Sequence, residues 1–305
     1  MSLADTPLSE LMRRAAERHV LVPAFNVAHL PMVEPTIGTV AELRALALVE
    51  VARPDVEKFG AQSFATVAEE YHRLADRNVT RLHLDHVPVI DEDGQRVEWQ
   101  RLIAEALDLG YDSVMIDGSR LPLDENIAAT KAVAEMAHLL GVPVEAELGA
   151  VLGHEAGPLP PYEELFASGK GFTDPAEARR FVEESACDWL SVAVGNIHGA
   201  ISEAGRDKAK VQARLNLDHL RQLREVTGVP MVLHGGSGIQ AEYLRAATRE
   251  GIAKINVGTE IRQAYERTLA ETNDIAKAQE AVADSMRTLI VETYRMEGSA
   301  ERLDG

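Results

Sequence analysis

Three histidines stand at the ends of three separate strand-like runs: His86 closes RLHLDH, His198 closes WLSVAVGNIH and His234 closes PMVLH, with a glycine directly after the last two. Neutral imidazoles suit the borderline softness of zinc, and a catalytic zinc takes three protein ligands while keeping a position open for substrate. Together the three residues predict an open zinc site. Any one of them alone reads as a strand-end histidine bonded to backbone; their recurrence at the same end of three strands is what favours a metal.

The elements that must position these side chains recur along all 305 residues. Eight short runs, VLVPAFNV, RALALVEVA, RLHLDH, SVMIDG, PVEAELG, WLSVAVGN, PMVLHGG and AKINVGTE, are largely apolar and β-branched, as parallel strands buried on both faces should be. Between them lie segments of helical period, among them FATVAEEYHRLADR, VEWQRLIAEALDLG, ENIAATKAVAEMAHLLG, DPAEARRFVEES, NLDHLRQLREVTG and AEYLRAATREG, several closed by a C-cap glycine. Eight such alternations without a GxGxxG turn predict an α/β protein of the (β/α)8 TIM-barrel type rather than an open doubly wound sheet. The expected organisation is one barrel domain over residues 1–305, with extra C-terminal helices from about Gln263 and a frayed tail, EGSAERLDG. The segment LPMVEPTIGTVAELR, with Pro35 and Gly38 inside it, predicts a broken or kinked helix.

Active sites of this architecture lie at the C-terminal ends of the strands. The polar residues of the eight runs collect there: Asn26, Asp85 with His86, Asp117, Glu147, Asn196 with His198, His234 and Asn256. Strand alternation puts His83 and Asp85 on one face and His86 on the other, so His86 joins them only if a turn at the strand end swings it inward. Asp85 beside a metal-bound substrate can act as acid or base, whereas His83 reads as a packed or supporting residue. After the seventh run, Gly235, Gly236, Ser237 and Gly238 let backbone amides turn towards an anion, and NVGTE offers Asn256, Gly258 and Thr259 on the next loop. Loops after strands seven and eight are the usual phosphate site of such barrels.

Composition narrows the partners. A net charge of −18 argues against nucleic acid, which needs clustered Lys and Arg, but leaves room for a small phosphorylated substrate held by backbone amides. A single cysteine, Cys187, permits no intrachain disulfide and fits a reducing compartment. With no signal-peptide pattern and no run of about eighteen apolar residues, a cytoplasmic protein without membrane contact is expected.

Taken together, HLDH, SVMIDGS, VEAELG, HGGSG and KINVGTE resemble, in the same order, the motifs of the class II, zinc-dependent fructose-bisphosphate and tagatose-bisphosphate aldolases, and the likeness runs from AFNV at residues 24–27 to NVGTE at 256–260. The resemblance implies zinc ligands at His86, His198 and His234, an aspartate at Asp85 that handles the substrate's C4 hydroxyl, and a glutamate on the loop GAVLGHEAG, Glu155, that moves the C3 proton. It implies carboxylates close to the metal at Asp117 and Glu147, holding a second divalent cation or supporting the first. Phosphate contacts fall on Gly199, Gly235, Ser237, Asn256 and Thr259, with Asn26 beside the substrate. A monovalent cation near the HG and HGGSG turns and a homodimer or homotetramer are implied as well. Gly149, Gly153 and Gly157 would let the Glu155 loop swing.

The implied activity is reversible aldol cleavage of a ketose phosphate to dihydroxyacetone phosphate and an aldehyde. Fructose 1,6-bisphosphate is the default substrate, with tagatose 1,6-bisphosphate or another ketose 1-phosphate as alternatives. Two other kinds of function would use the same residues: a barrel that binds a sugar phosphate without turnover, which needs neither Asp85 nor Glu155, and metal-assisted hydrolysis or isomerisation, which product analysis separates. The chain also departs from the family pattern. After NIHG the family has an aromatic residue and a lysine that meets the phosphate, whereas AISEAGRDKAK follows here, with Arg206, Lys208 and Lys210 as candidate replacements. Ala52 stands where a serine is common and Gly258 where an aspartate is, and Val87 opens a longer loop carrying a DEDG turn. These changes surround the substrate rather than the metal, so they bear on which sugar is taken.

Overall fold

The computed structural model describes residues 2–149, 162–196, 213–236 and 239–305. Eight parallel strands close into a barrel in chain order, with β8 pairing back onto β1. They are β1 Val22–Asn26, β2 Ala47–Ala52, β3 Thr80–Pro88, β4 Ser113–Asp117, β5 Val144–Leu148, β6 Trp189–Val192, β7 Met231–Leu233 and β8 Ile252–Val257, one for each apolar run of the sequence. Helices surround the sheet: α1 Leu8–Glu17, α2 Val33–Glu42, α3 Arg53–Glu57, α4 Phe64–Leu74, α5 Trp99–Asp108, α6 Leu123–His138, α7 Tyr162–Ser168, α8 Pro175–Ser185, α9 Leu217–Thr227, α10 Ala241–Arg249 and α11 Thr259–Thr272, followed by α12 Ile275–Arg287 and α13 Ser299–Leu303. This is the expected (β/α)8 barrel.

Local chemistry sets the helix ends. Ser63, Asp174 and Asn216 accept from first-turn N–H groups of α4, α8 and α9, and Gly228 closes α9 in the left-handed conformation. The Ala, Val, Leu and Ile side chains of the strands are buried in one continuous cluster with the inner faces of the helices. At the N-terminal end of the barrel the buried Arg81 guanidinium donates to the carbonyls of Leu3 and Thr6, tying the first residues beneath the strands. The other end carries the polar strand termini. No helix among the described residues is long and apolar enough to cross a membrane.

Two local expectations are corrected. The helix after β1 does not kink at Pro35 or Gly38: a 3-10 turn, Leu30–Met32, leads into α2, and Pro35 falls in the first turn, where its missing N–H is not needed. Gly38 lies inside α2, with nothing within 4 Å of the place a Cβ would take. Gly38→Ala should therefore stabilise the protein by about 0.5–1 kcal/mol, seen as a higher midpoint of chemical unfolding; a lower midpoint would contradict a regular helix there. The C-terminal tail is not frayed. Ser299 Oγ accepts from Leu46 N at 3.0 Å, the N–H groups of Gly298 and Ala300 donate to Leu43 and Arg44 carbonyls, and Ala300 and Leu303 are buried. The tail supplies acceptors and donors that the entry to β2 needs.

Candidate active site

The barrel departs from regular pairing at β3. Its register against β4 shifts between Leu84 and Val87, and His86, within the shift, takes φ +38°. A bulge re-aims a side chain, and left-handed backbone at a non-glycine residue carries strain. His86 thereby turns into the barrel mouth beside Asp85, the inward swing that simple alternation forbids. Its Nε2 lies 2.8 Å from Nδ1 of His234, the residue after β7.

The protons in this contact follow from the outer partners. Nε2 of His234 lies 2.8 Å from Glu145 Oε1 and donates to it, so His234 Nδ1 presents a lone pair. Asp117 Oδ2 lies 3.4 Å from Nδ1 of His86. Burial alone would push the His86 imidazole down, but Asp117, with the charges of Asp85 and Glu147, raises it to about 10, so His86 Nε2 is the donor to His234. Glu147 Oε2 stands 3.9 Å from His86 Nε2 and 3.7 Å from His234 Nδ1. Donor atoms of His86, Glu147 and His234 all lie within 4.8 Å of one another. Two imidazoles aimed at one point, each steadied by a carboxylate on its far nitrogen, with a third carboxylate beside that point, form a donor set that fits a divalent cation. The geometry also separates the two acids: Asp117 backs His86, while Glu147 borders the point itself. Burial and then the Asp117 charge push the Glu147 carboxyl up to about 8.

Beneath this point lies a buried charged layer. Lys254 Nζ stands 2.9 Å from Glu145 Oε2, 3.5 Å from Glu50 Oε2 and 2.7 Å from Asn256 Oδ1. Asn256 Nδ2 then donates to Asp85 Oδ1 at 2.9 Å. One ammonium thus steadies Asp85 through Asn256 and His234 through Glu145. Burial opposes the charge on both acids, but His86, His234 and Lys254 hold Asp85 below the usual carboxylate value, and Lys254 and His234 hold Glu145 well below it. His83 Nδ1 pairs with Ser113 Oγ at 2.8 Å, and burial, then Lys254, lowers its ring to about 3. His83 is neutral, so its approaches of 3.6 Å to Glu145 and 3.9 Å to Asp85 are not ion pairs.

Glu145, Lys254 and Glu50 escape a reading of the sequence, although each leaves a signal. A charged residue inside an apolar strand, two positions from a strand-end residue, shares its inward face by the period of two: Glu145 with Glu147, Lys254 with Asn256, Glu50 with Ala52. Because the second partner of a metal-bound histidine is commonly worth about 10- to 100-fold in metal affinity, Glu145→Gln should weaken divalent-ion binding by that factor in a competition titration. Unchanged affinity would remove Glu145 from the support of His234.

The substrate side is partly visible. Asn196 donates from Nδ2 to the His234 carbonyl at 2.9 Å, joining the ends of β6 and β7. A Cβ at Gly236 would come within 2.6 Å of the Ile255 side chain and 3.1 Å of the Asn256 carbonyl, so the backbone at Gly236 lies close against β8. Thr259 opens α11, whose N-cap Gly258 offers no side-chain acceptor to the first N–H groups. The amide of Asn256 is engaged by Asp85 and Lys254, and that of Asn26 by Asp55 at 2.8 Å. Gly235 has φ +67° and Gly149 φ +96°. Glu155, His198, Gly199 and Ser237 lie outside the described residues, as do Gly153, Gly157, Arg206, Lys208 and Lys210.

Residues 6–302 match the family described as fructose-bisphosphate aldolase class-II. The chain is 33% identical over 300 residues to a 6-phospho-5-dehydro-2-deoxy-D-gluconate aldolase of Halalkalibacterium halodurans, covering 96% of this chain and 94% of that one. It is 31% identical over 275 residues to a fructose-bisphosphate aldolase of Geobacillus stearothermophilus, covering 89% and 86%. Among solved structures it resembles the YdjI aldolase from Escherichia coli K12, with a TM-score of 0.74 and 27% identity over 96% of this chain and 98% of that one.

Proposed function

This chain belongs to the class-II fructose-bisphosphate aldolase family and is an aldolase, and from that premise we propose that it cleaves a ketose 1-phosphate reversibly to dihydroxyacetone phosphate and an aldehyde, with zinc as its metal. The observation that carries this reading is the facing pair His86 and His234, 2.8 Å apart, beside the ionised Asp85. The family is metal-dependent, and the donor set described above fits a divalent ion held by His86 and His234, with His198 as the third ligand and Glu147 at the border. When bound, the ion supplies Lewis-acid polarisation of the substrate carbonyl.

The residues of the chain perform the remaining steps. Asp85, kept ionised and fixed by Asn256, takes the proton of the C4 hydroxyl as the C3–C4 bond breaks and C4 becomes a carbonyl. The electron pair stays on the C3 side, and Glu155 delivers a proton to C3 to complete dihydroxyacetone phosphate. Gly235, the Gly236 turn and the first N–H groups of α11 at Thr259 hold the phosphate, as a helix N-terminus does for anions. On this reading Asn256 serves Asp85 rather than the phosphate. Fructose 1,6-bisphosphate is the default sugar. Because one relative is named for a phosphorylated dehydrodeoxygluconate and the mouth residues Ala52 and Gly258 depart from the family pattern, other ketose 1-phosphates belong in the same assay.

The experiment is product analysis with zinc-loaded protein on fructose 1,6-bisphosphate, tagatose 1,6-bisphosphate and further ketose 1-phosphates. Release of dihydroxyacetone phosphate that stops on chelation supports the reading. Phosphate release or isomerisation without carbon–carbon cleavage would replace it.

A further inference from the structure

We propose that Arg53 binds the anionic end of the aldehyde half of the substrate, a carboxylate or a phosphate; the proposal rests on the aldolase reading above. Position is the first argument. Ala52, the last residue of β2, is the register partner of Asp85, which handles the bond being broken. Arg53 follows it directly, and among the described residues it is the one Arg or Lys that immediately follows a barrel strand. The phosphate of the dihydroxyacetone half is assigned to the loops after β7 and β8, so the other half extends from Asp85 towards β2.

Charge is the second argument. Of the buried or nearly buried acids at the mouth and in the layer below it, burial pushes Glu50 and Glu147 up, whereas Asp85, Asp117 and Glu145 are held ionised. A second anion entering beside Asp85 needs a local cation to offset them. Arg53 offers a guanidinium that is only 15% exposed and incompletely used: its Nη2 reaches Asp91 Oδ2 at 3.2 Å and its Nε is closed in 3.2 Å from Glu57 Oε2, while Nη1 makes no hydrogen bond among the described residues. A planar fork with donors to spare suits bidentate capture of a carboxylate or phosphate.

The third argument is what holds Asp91. The long loop after β3 forms a small hairpin with an antiparallel bridge between Ile90 and Arg96, and Asp91 Oδ1 accepts from the N–H groups of Asp93 and Gln95. Asp91 is therefore fixed by its own loop and presents its second oxygen to Arg53. It takes one edge of the guanidinium, and the substrate anion engages the remaining donors.

The test uses the zinc-loaded enzyme in the condensation direction, with dihydroxyacetone phosphate and three aldehydes: malonate semialdehyde, glyceraldehyde 3-phosphate and neutral glyceraldehyde. The wild type should prefer one charged aldehyde over glyceraldehyde in kcat/KM, and which one identifies the anion. Arg53→Met should reduce that preference by about 10- to 100-fold, the weight of a charge-assisted hydrogen bond. Asp91→Asn, which breaks the same ion pair but leaves the guanidinium, should retain the preference. No preference in the wild type, an equal loss on all three aldehydes in Arg53→Met, or the same loss in Asp91→Asn would each overturn the proposal. Proton exchange on dihydroxyacetone phosphate by the wild type, which involves no aldehyde, distinguishes the two levels: exchange without anion preference removes only Arg53, whereas no exchange removes the aldolase reading and this proposal with it.

Discussion

His234→Ala should strip the protein of its divalent ion and lower cleavage by about 10³-fold or more, since Lewis-acid stabilisation is worth several kcal/mol and each 1.36 kcal/mol is tenfold in rate. The expectation follows from how His234 is held. Its Nε2 is committed to Glu145, its Nδ1 faces His86 Nε2 at 2.8 Å, and it is 1% exposed, so its imidazole is held in one place. The fold should survive, because Glu145 keeps Lys254 at 2.9 Å and Trp189 Nε1 at 2.7 Å as partners. Metal content after desalting, measured beside kcat/KM, checks both halves. A variant that still carries a full equivalent of metal and cleaves at the wild-type rate would move the metal away from His86 and His234.

Asp85→Asn should separate two half-reactions. Removal of a positioned general base commonly costs about 10²- to 10⁴-fold, and the loss should fall on carbon–carbon cleavage. Proton exchange at C3 of dihydroxyacetone phosphate, assigned to Glu155, should fall far less, and metal content should hold. The asparagine can still face Asn256, so geometry is largely kept. Equal losses in both half-reactions together with lost metal would instead make Asp85 a ligand, a role its place in a donor group with Glu145 and His234 would permit.

Much of the barrel is legible in the sequence because strands buried on both faces must be apolar throughout, and eight such runs leave few other folds. The polar strand ends are legible for the same reason: Asn26, Asp85, Asp117, Glu147 and Asn256 interrupt those runs at one end. What brings His86 to His234 is not. The shift between Leu84 and Val87 is a property of pairing between two strands, and no residue type in HLDHVP announces it. The layer of Lys254, Glu145 and Glu50 is hidden differently: single charges within apolar strands look like interruptions until the closed barrel brings β2, β5 and β8 around one axis. Ser299 reads as tail because its partner, Leu46 N, is 253 residues away. The identity of the sugar depends on side chains at the mouth, such as Ala52, Arg53 and Gly258, whose meaning lies in the space between loops.

On the proposed reading, His86 and His234 would hold the metal that supplies Lewis-acid polarisation, and Glu155 moves the proton of dihydroxyacetone phosphate. Deuterium exchange at C3 of dihydroxyacetone phosphate, followed by proton NMR for zinc-loaded protein, chelated protein and Glu155→Ala, tests it without any choice of aldehyde. Exchange that disappears on chelation, returns with zinc and falls steeply in the variant is the predicted result. Exchange indifferent to chelator, or none from protein with zinc bound, would contradict it.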